Sequence, residues 1–337
     1  MSFAKILGQD QATQIIIKAI KNNSVAHAYM FYGPNSVGKK LTAIALAKAL
    51  NCLSASPGDY CDDCPACDKI ARGIHPDFFL VGPVKASASA REEAIKVEAI
   101  RELQKKMGFL PYEGKTKVVI IDAAETMNPQ AANSFLKTLE EPPSSTVIIL
   151  VTHNPFRLLP TIISRCQGVR FNPLPVSAIR QIIDQKVAEG EVDPGEAEMR
   201  VARAKGQVTR ALEEIDESEA QGREELARLL GAVSFDHMDL VFNWSKSCAA
   251  NAERIPMVLD ELAELLRDLA FLKSGSSPDC ILNQDLLRQL RPLAERKTLS
   301  SILQMHDSVH ATKFALQGNA NKQLSLENML LDFCDAA

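Results

Sequence analysis

The stretch Gly33-Pro34-Asn35-Ser36-Val37-Gly38-Lys39-Lys40 constrains this chain more than any other segment. It follows the phosphate-binding pattern G-x-x-x-x-G-K-[ST] through its lysine, then departs: Lys40 stands where a hydroxyl would hold Mg²⁺. Such a loop joins a buried strand to a helix N-terminus. Its glycines let backbone N–H groups converge on phosphate, and Lys39 can reach the outer phosphates. The flanks suit that role. Ala28-Tyr29-Met30-Phe31-Tyr32 reads as the strand and Leu41-Thr42-Ala43-Ile44-Ala45-Leu46-Ala47 as the helix. Gly33, Gly38, Lys39 and Lys40 therefore predict a P-loop fold around a degenerate nucleotide site, with ATP or ADP bound weakly or not at all.

Residues 1–172 alternate buried strands and helices, the pattern of an α/β domain with a parallel sheet covered on both faces. Val118-Val119-Ile120-Ile121 and Val147-Ile148-Ile149-Leu150-Val151 are continuous apolar, β-branched runs suited to its central strands. The first ends in Asp122, the position that coordinates Mg²⁺ in P-loop proteins. Alone, Asp122 would pass as a strand-end or capping carboxylate; the upstream loop gives it meaning. Hydrolysing P-loop ATPases carry a glutamate next, to polarise the attacking water. Here Ala123 follows, and Glu125 falls on the expected next helix, poorly placed to substitute.

Asn172-Pro173-Leu174-Pro175 punctuates the chain and marks a boundary. Short helical patterns fill 173–215, enough for a small helical lid. From 216 to 337 almost nothing reads as strand, and leucines recur at helical spacing, as in Leu262, Leu265, Leu266 and Leu269. These stripes read as plain core of an all-α domain, with a loop between helices at Lys273 to Pro278.

Four of the eight cysteines crowd into C-x8-C-x2-C-x2-C, namely Cys52, Cys61, Cys64 and Cys67. Scattered buried thiols or a redox pair would explain such crowding poorly. Four thiolates close a tetrahedral zinc shell and leave no position open for catalysis, so the expectation is a structural Zn²⁺ in a module at 52–67.

The net charge of −4 gives no global signature of a nucleic-acid binder. The start of the chain lacks a signal-peptide pattern, and no uncharged apolar run approaches 18 residues. A cytoplasmic chain of two or three domains, without membrane contact, is expected from these features and from its 337 residues.

Ser164-Arg165-Cys166 gains interest from its place after the strand Val147–Val151 and its polar end Thr152-His153-Asn154. An arginine there is otherwise an ordinary salt-bridge partner. Together with Leu7-Gly8-Gln9-Asp10-Gln11, His27-Ala28-Tyr29-Met30-Phe31, Pro111-Tyr112-Glu113-Gly114-Lys115, the four cysteines and Leu136-Lys137-Thr138-Leu139-Glu140-Glu141-Pro142-Pro143, it resembles the bacterial clamp-loader AAA+ subunits of DNA polymerase III, and among them the delta-prime type. The likeness is densest over 1–215 and weaker over the C-terminal segment, which is similar to the family's collar.

The resemblance implies a heteropentamer with gamma/tau-type and delta-type subunits that opens the sliding clamp and places it on primed DNA. Arg165 would reach into a neighbour's ATP site as an arginine finger, and Thr152 matches the first-sensor position. Thr209 stands where a motor subunit's second-sensor arginine would align, with Arg210 one place later and aimed elsewhere. Lys40, Ala123 and Thr209 together point to a stator without ATPase or polymerase chemistry of its own, though part of the polymerase holoenzyme. The alternatives are an active motor subunit of the gamma/tau type and an independent zinc-containing nucleic-acid binder; the acidic balance and closed cysteine set give the latter little support.

Overall fold

The computed structural model describes residues 3–54, 58–85, 93–213, 217–252, 254–276, 280–318 and 320–336. The expected boundary at 215–216 and positions 277–278 of the expected loop lie partly or wholly outside these residues. By their contacts the described residues form two units, Met1–Ile179 with Gly206–Thr209, and Arg180–Lys205 with Arg210–Ala337.

The first unit is built on a five-stranded parallel sheet. In chain order the strands are β1 (Ala28–Tyr32), β2 (Phe78–Val81), the small antiparallel pair β3 (Val84–Lys85) and β4 (Glu93–Ala94), then β5 (Lys117–Ile121), β6 (Thr146–Thr152) and β7 (Gln167–Arg170). The main sheet runs β2-β5-β6-β1-β7. Every residue of β5 and β6 is buried, which is why both read as unbroken apolar runs rather than alternating ones.

Among the described residues six helices accompany the sheet: α1 (Asp10–Lys21), α2 (Lys39–Asn51), α3 (Pro65–Ala71), α4 (Val97–Met107), α5 (Pro129–Glu140) and α6 (Pro160–Ile163). Ile100, Leu103 and Met107 of α4 and Phe135 and Leu139 of α5 form one core with Val119, Ile121, Ile148 and Leu150 of the sheet. Helix α2 packs against β1, β5 and β6 through a chain segment rich in alanine, whose small side chains let helix and sheet approach closely.

The register places the strand ends that matter side by side. Tyr32 pairs with Thr152 and Ile121 with Leu150, so β1, β5 and β6 finish along one edge. Ligand crevices of open parallel sheets lie at such carboxyl ends. A buried carboxylate fixes the approach to β5: Asp77 accepts the backbone N–H groups of Tyr112, Glu113 and Gly114 at 2.7, 2.8 and 2.7 Å.

The second unit is helical. Helices α7 (Val176–Ala188), most of which belongs here, and α8 (Ala197–Arg203) come first. After α9 (Val208–Leu212), which begins in the first unit, follow α10 (Glu217–Ala232), α11 (Met238–Ala250), α12 (Ile255–Lys273), α13 (Leu287–Arg296), α14 (Leu299–Gln317) and α15 (Lys322–Asp335). The leucine stripes read from the sequence meet inside it: Leu262, Leu265, Leu266 and Leu269 of α12 are buried with Leu290, Ile302, Met305, Val309 and Leu330. Within this core Asp268 is fully buried and accepts from Leu282 N, Asn283 N and Asn283 Nδ2 at 3.1, 2.8 and 2.8 Å. Among the described residues, no helix is long and apolar enough to cross a membrane.

Candidate nucleotide site and metal centre

The P-loop forms where the sequence puts it. Strand β1 delivers Gly33, whose φ of +144° and close approach to Phe171 O leave no room for a Cβ. Gly38, at φ +95°, occupies the left-handed region as it caps the N-terminus of α2. Lys39 is buried and folds back on its own loop, donating to Gly33 O at 2.8 Å and also to Pro34 O. Burial lowers the Lys39 ammonium to about 8, against the raising influence of the nearby Glu125 and Asp122 charges.

The residue after it changes the chemistry. Lys40 Nζ pairs with Asp122 Oδ2 at 2.9 Å, at the end of β5. A hydroxyl and a carboxylate would hold a cation between them; an ammonium and a carboxylate satisfy each other. Charge at this point is balanced without a metal.

Two further contacts close the site. Val208 N donates to Ser36 O at 3.0 Å, and the Thr209 hydroxyl bonds the Ser36 hydroxyl. The residue at the expected second-sensor position is therefore spent on the loop itself, while Arg210 pairs with Glu264. On the neighbouring strand Thr152 is buried and its Oγ1 accepts from Asn154 N at 3.1 Å.

Glu125 differs from its expected setting. It lies on a 3-10 turn, Ala124–Thr126, because Ala123 adopts φ +49° and the next α-helix starts only after Asn128, which caps Ala131 N at 2.7 Å. Its carboxylate is buried and meets His153 Nδ1, at the end of β6. Their pairing depends on the register of β5 and β6 and has no local signal in either segment.

The cysteines form a second centre at the opposite end of α2. Cys52 caps the C-terminus of that helix, and Cys64 and Cys67 bracket the start of α3. All eight cysteines of the chain are free thiols. The Sγ atoms of Cys52, Cys61, Cys64 and Cys67 lie within 4.8 Å of one another, with Cys52 to Cys61 at 3.5 Å and Cys52 to Cys64 at 3.9 Å. Four thiolates at about 2.3 Å from one tetrahedral zinc stand roughly 3.8 Å apart, so the donor set fits a metal of that kind. Backbone N–H groups of Cys61 and Cys64 point at Cys52 and Cys61 sulfur, as in a supporting shell. Burial pushes the Cys52 and Cys67 thiols above their ordinary range, a shift that a bound cation would reverse. The segment is tied to the chain start by Asp62, which pairs with Lys5 at 2.7 Å and Lys48 at 2.5 Å.

Arg165 stands outside both sets. It follows α6, a third exposed, and bonds Thr161 O and Glu140. Among the described residues, no hydrogen bond links it to the P-loop.

The description "DNA polymerase III, delta subunit" matches residues 8–175, and its C-terminal counterpart matches 218–335. DNA polymerase III subunit delta' of Bacillus subtilis is 31% identical over 328 residues, covering 96% of this chain and 95% of that protein. The chain belongs to the DNA polymerase III delta-prime subunit family. The delta' subunit of Pseudomonas aeruginosa is 32% identical over 306 residues, covering 82% of this chain and 89% of the relative. Subunit tau of Bacillus subtilis is 33% identical over 220 residues but covers 64% of this chain and 37% of its own length. Within this family the chain is delta-prime-like, with an α/β P-loop sheet unit followed by a helical unit.

Proposed function

We propose that the chain is the non-hydrolysing stator of a bacterial clamp loader. It assembles with gamma/tau-type and delta-type subunits into a heteropentamer that places the sliding clamp on primed DNA. The Lys40–Asp122 pair carries this reading, because it fills the position from which a motor subunit would hold Mg²⁺. Ala123 adds to it by removing the carboxylate that would polarise water. Nucleotide binds in the degenerate loop weakly or not at all. Tau relatives support a motor reading less well, since a motor needs the hydroxyl and the carboxylate that this chain lacks.

Arg165 acts on a neighbour's nucleotide rather than on its own. A fixed guanidinium stabilises charge on a transferring phosphoryl group, with effects on the order of 10³–10⁵ in rate where measured. Cys52, Cys61, Cys64 and Cys67 hold one structural Zn²⁺ as thiolates. A closed four-thiolate shell offers no water to activate, so its role is to brace the C-terminal end of α2 while the N-terminal end carries the loop.

The deciding experiment is ATP turnover by the isolated chain and by the reconstituted complex. Negligible turnover alone, with Arg165→Ala lowering the DNA-stimulated turnover of the complex, is the expected result. Turnover by the isolated chain that Lys39→Ala abolishes would establish a motor instead.

A further inference from the structure

Arg165 does not extend freely into solvent. Its guanidinium donates from Nη1 to Thr161 O at 2.9 Å and from Nη2 to Glu140 Oε1 at 2.6 Å. The two acceptors come from different elements that pack together: Thr161 from α6, which carries Arg165 just past its end, and Glu140 from the last position of α5. That last position is electrostatically poor for a carboxylate, because the C-terminal end of a helix already carries partial negative charge. Arg165, 25 residues further along the chain, supplies the compensating cation.

A guanidinium offers five N–H donors, and the two named bonds leave the remainder for an anion. The side chain keeps 34% of its surface exposed while so held. An exposed ion pair of this sort adds little to stability. It does remove rotamer freedom from a long side chain, and a planar fork meets phosphoryl oxygens only in a narrow range of orientations.

We infer that Glu140 is a positioning residue for Arg165, fixing the direction of its guanidinium before a neighbour's nucleotide arrives. The inference rests on the trans role proposed above for Arg165. Orientation achieved on folding does not have to be achieved again in the transition state, and small misplacements of a charge-stabilising group cost rate rather than binding.

The test compares Glu140→Ala, Glu140→Gln, Arg165→Ala and the double variant Glu140→Ala/Arg165→Ala. Each is assembled with gamma/tau-type and delta-type subunits, and ATP turnover is measured with sliding clamp and primed DNA. Glu140→Ala is expected to reproduce most of the kcat loss of Arg165→Ala with the KM for ATP unchanged. Glu140→Gln keeps an acceptor oxygen and should stay near the wild-type rate. The double variant should be no slower than Arg165→Ala alone, the non-additivity of residues acting as a unit. Wild-type turnover by Glu140→Ala in an assembly that Arg165→Ala impairs overturns the inference and leaves the trans role standing. Faster turnover by Glu140→Ala overturns it too, since the pair would then restrain the finger. Wild-type turnover by Arg165→Ala removes the trans role and this inference together.

Discussion

Lys40 Nζ lies 2.9 Å from Asp122 Oδ2, so the side chain at the magnesium-holding position of the loop neutralises the carboxylate that would share that ion. An ammonium supplies charge there without the octahedral geometry that a metal imposes on triphosphate. The loop keeps its backbone shape while its carboxylate partner is taken by Lys40.

Lys40→Thr restores the missing hydroxyl and frees Asp122. ATP binding to the variant is expected to become Mg²⁺-dependent, whereas any binding by the wild type should be weak and indifferent to Mg²⁺. Titration calorimetry with and without the ion decides this, and a variant that shows no Mg²⁺ effect counts against the assignment. Turnover should stay negligible, because Ala123 still offers no carboxylate. Stability should change by at most about 1 kcal/mol, as for other partly exposed pairs.

Elemental analysis of the purified chain should find about one zinc per molecule, as one four-thiolate site requires. Cys64→Ser should lower both zinc content and melting temperature, and chelation should lower the melting temperature of the wild type. Metal-free protein that melts normally would refute the site.

Arg165→Lys should rescue poorly in the assembled complex. An ammonium is a point charge and cannot reproduce two parallel N–H directions. Arg165→Ala should leave folding intact, within about 0.5 kcal/mol. Clamp loading by Arg165→Lys at the wild-type rate would show that charge alone suffices.

Asp77 gives a pH signature. Burial alone would raise its pKa, but the amides of Gly114, Glu113 and Tyr112 outweigh burial and hold it below the ordinary 3.8. Its stabilising contribution is thus fully present above that value and is lost as pH falls through the lower folded one. Asp77→Asn should cost about 1–3 kcal/mol near neutrality. Urea unfolding from pH 7 down to acid should show the difference from wild type shrinking below about pH 4; a constant difference would exclude the linkage.

In the helical unit, Asp268→Ala leaves the half-buried Leu282 amide and the buried Asn283 amide without their acceptor. A loss of about 3 kcal/mol follows from the cost of unsatisfied buried donors, measurable by denaturant unfolding. A loss below about 1 kcal/mol would mean that water replaces the carboxylate.

Much of the fold was legible along the chain. Val118–Ile121 and Val147–Val151 read as buried strands because a sheet covered on both faces demands apolar residues at every position. Gly33 and Gly38 marked the loop because a Cβ at Gly33 would meet Phe171 O and the φ of +95° at Gly38 disfavours any other residue. The cysteine spacing announced a four-sulfur cluster, since ligands with two residues between them come from one turn of chain. The broad leucine stripes of α12 likewise reported a helical core before its partners were known.

Pairings between distant residues were not legible. Lys40 and Asp122 are far apart along the chain, as are Ser36 and Thr209, and nothing local in either segment specifies the partner. Glu125 read as a misplaced base until the register of β5 against β6 brought His153 to it. Arg165 read as a motif residue, and only the packing of α5 on α6 gave it Glu140. Sequence by itself determined the backbone of the central strands, the loop and the long helices, because propensity, glycine conformation and apolar periodicity act within a few residues. Tertiary structure decided which charges meet, because Coulombic and hydrogen-bonding partners are set by distance in space, and that distance exists only once the sheet has its strand order.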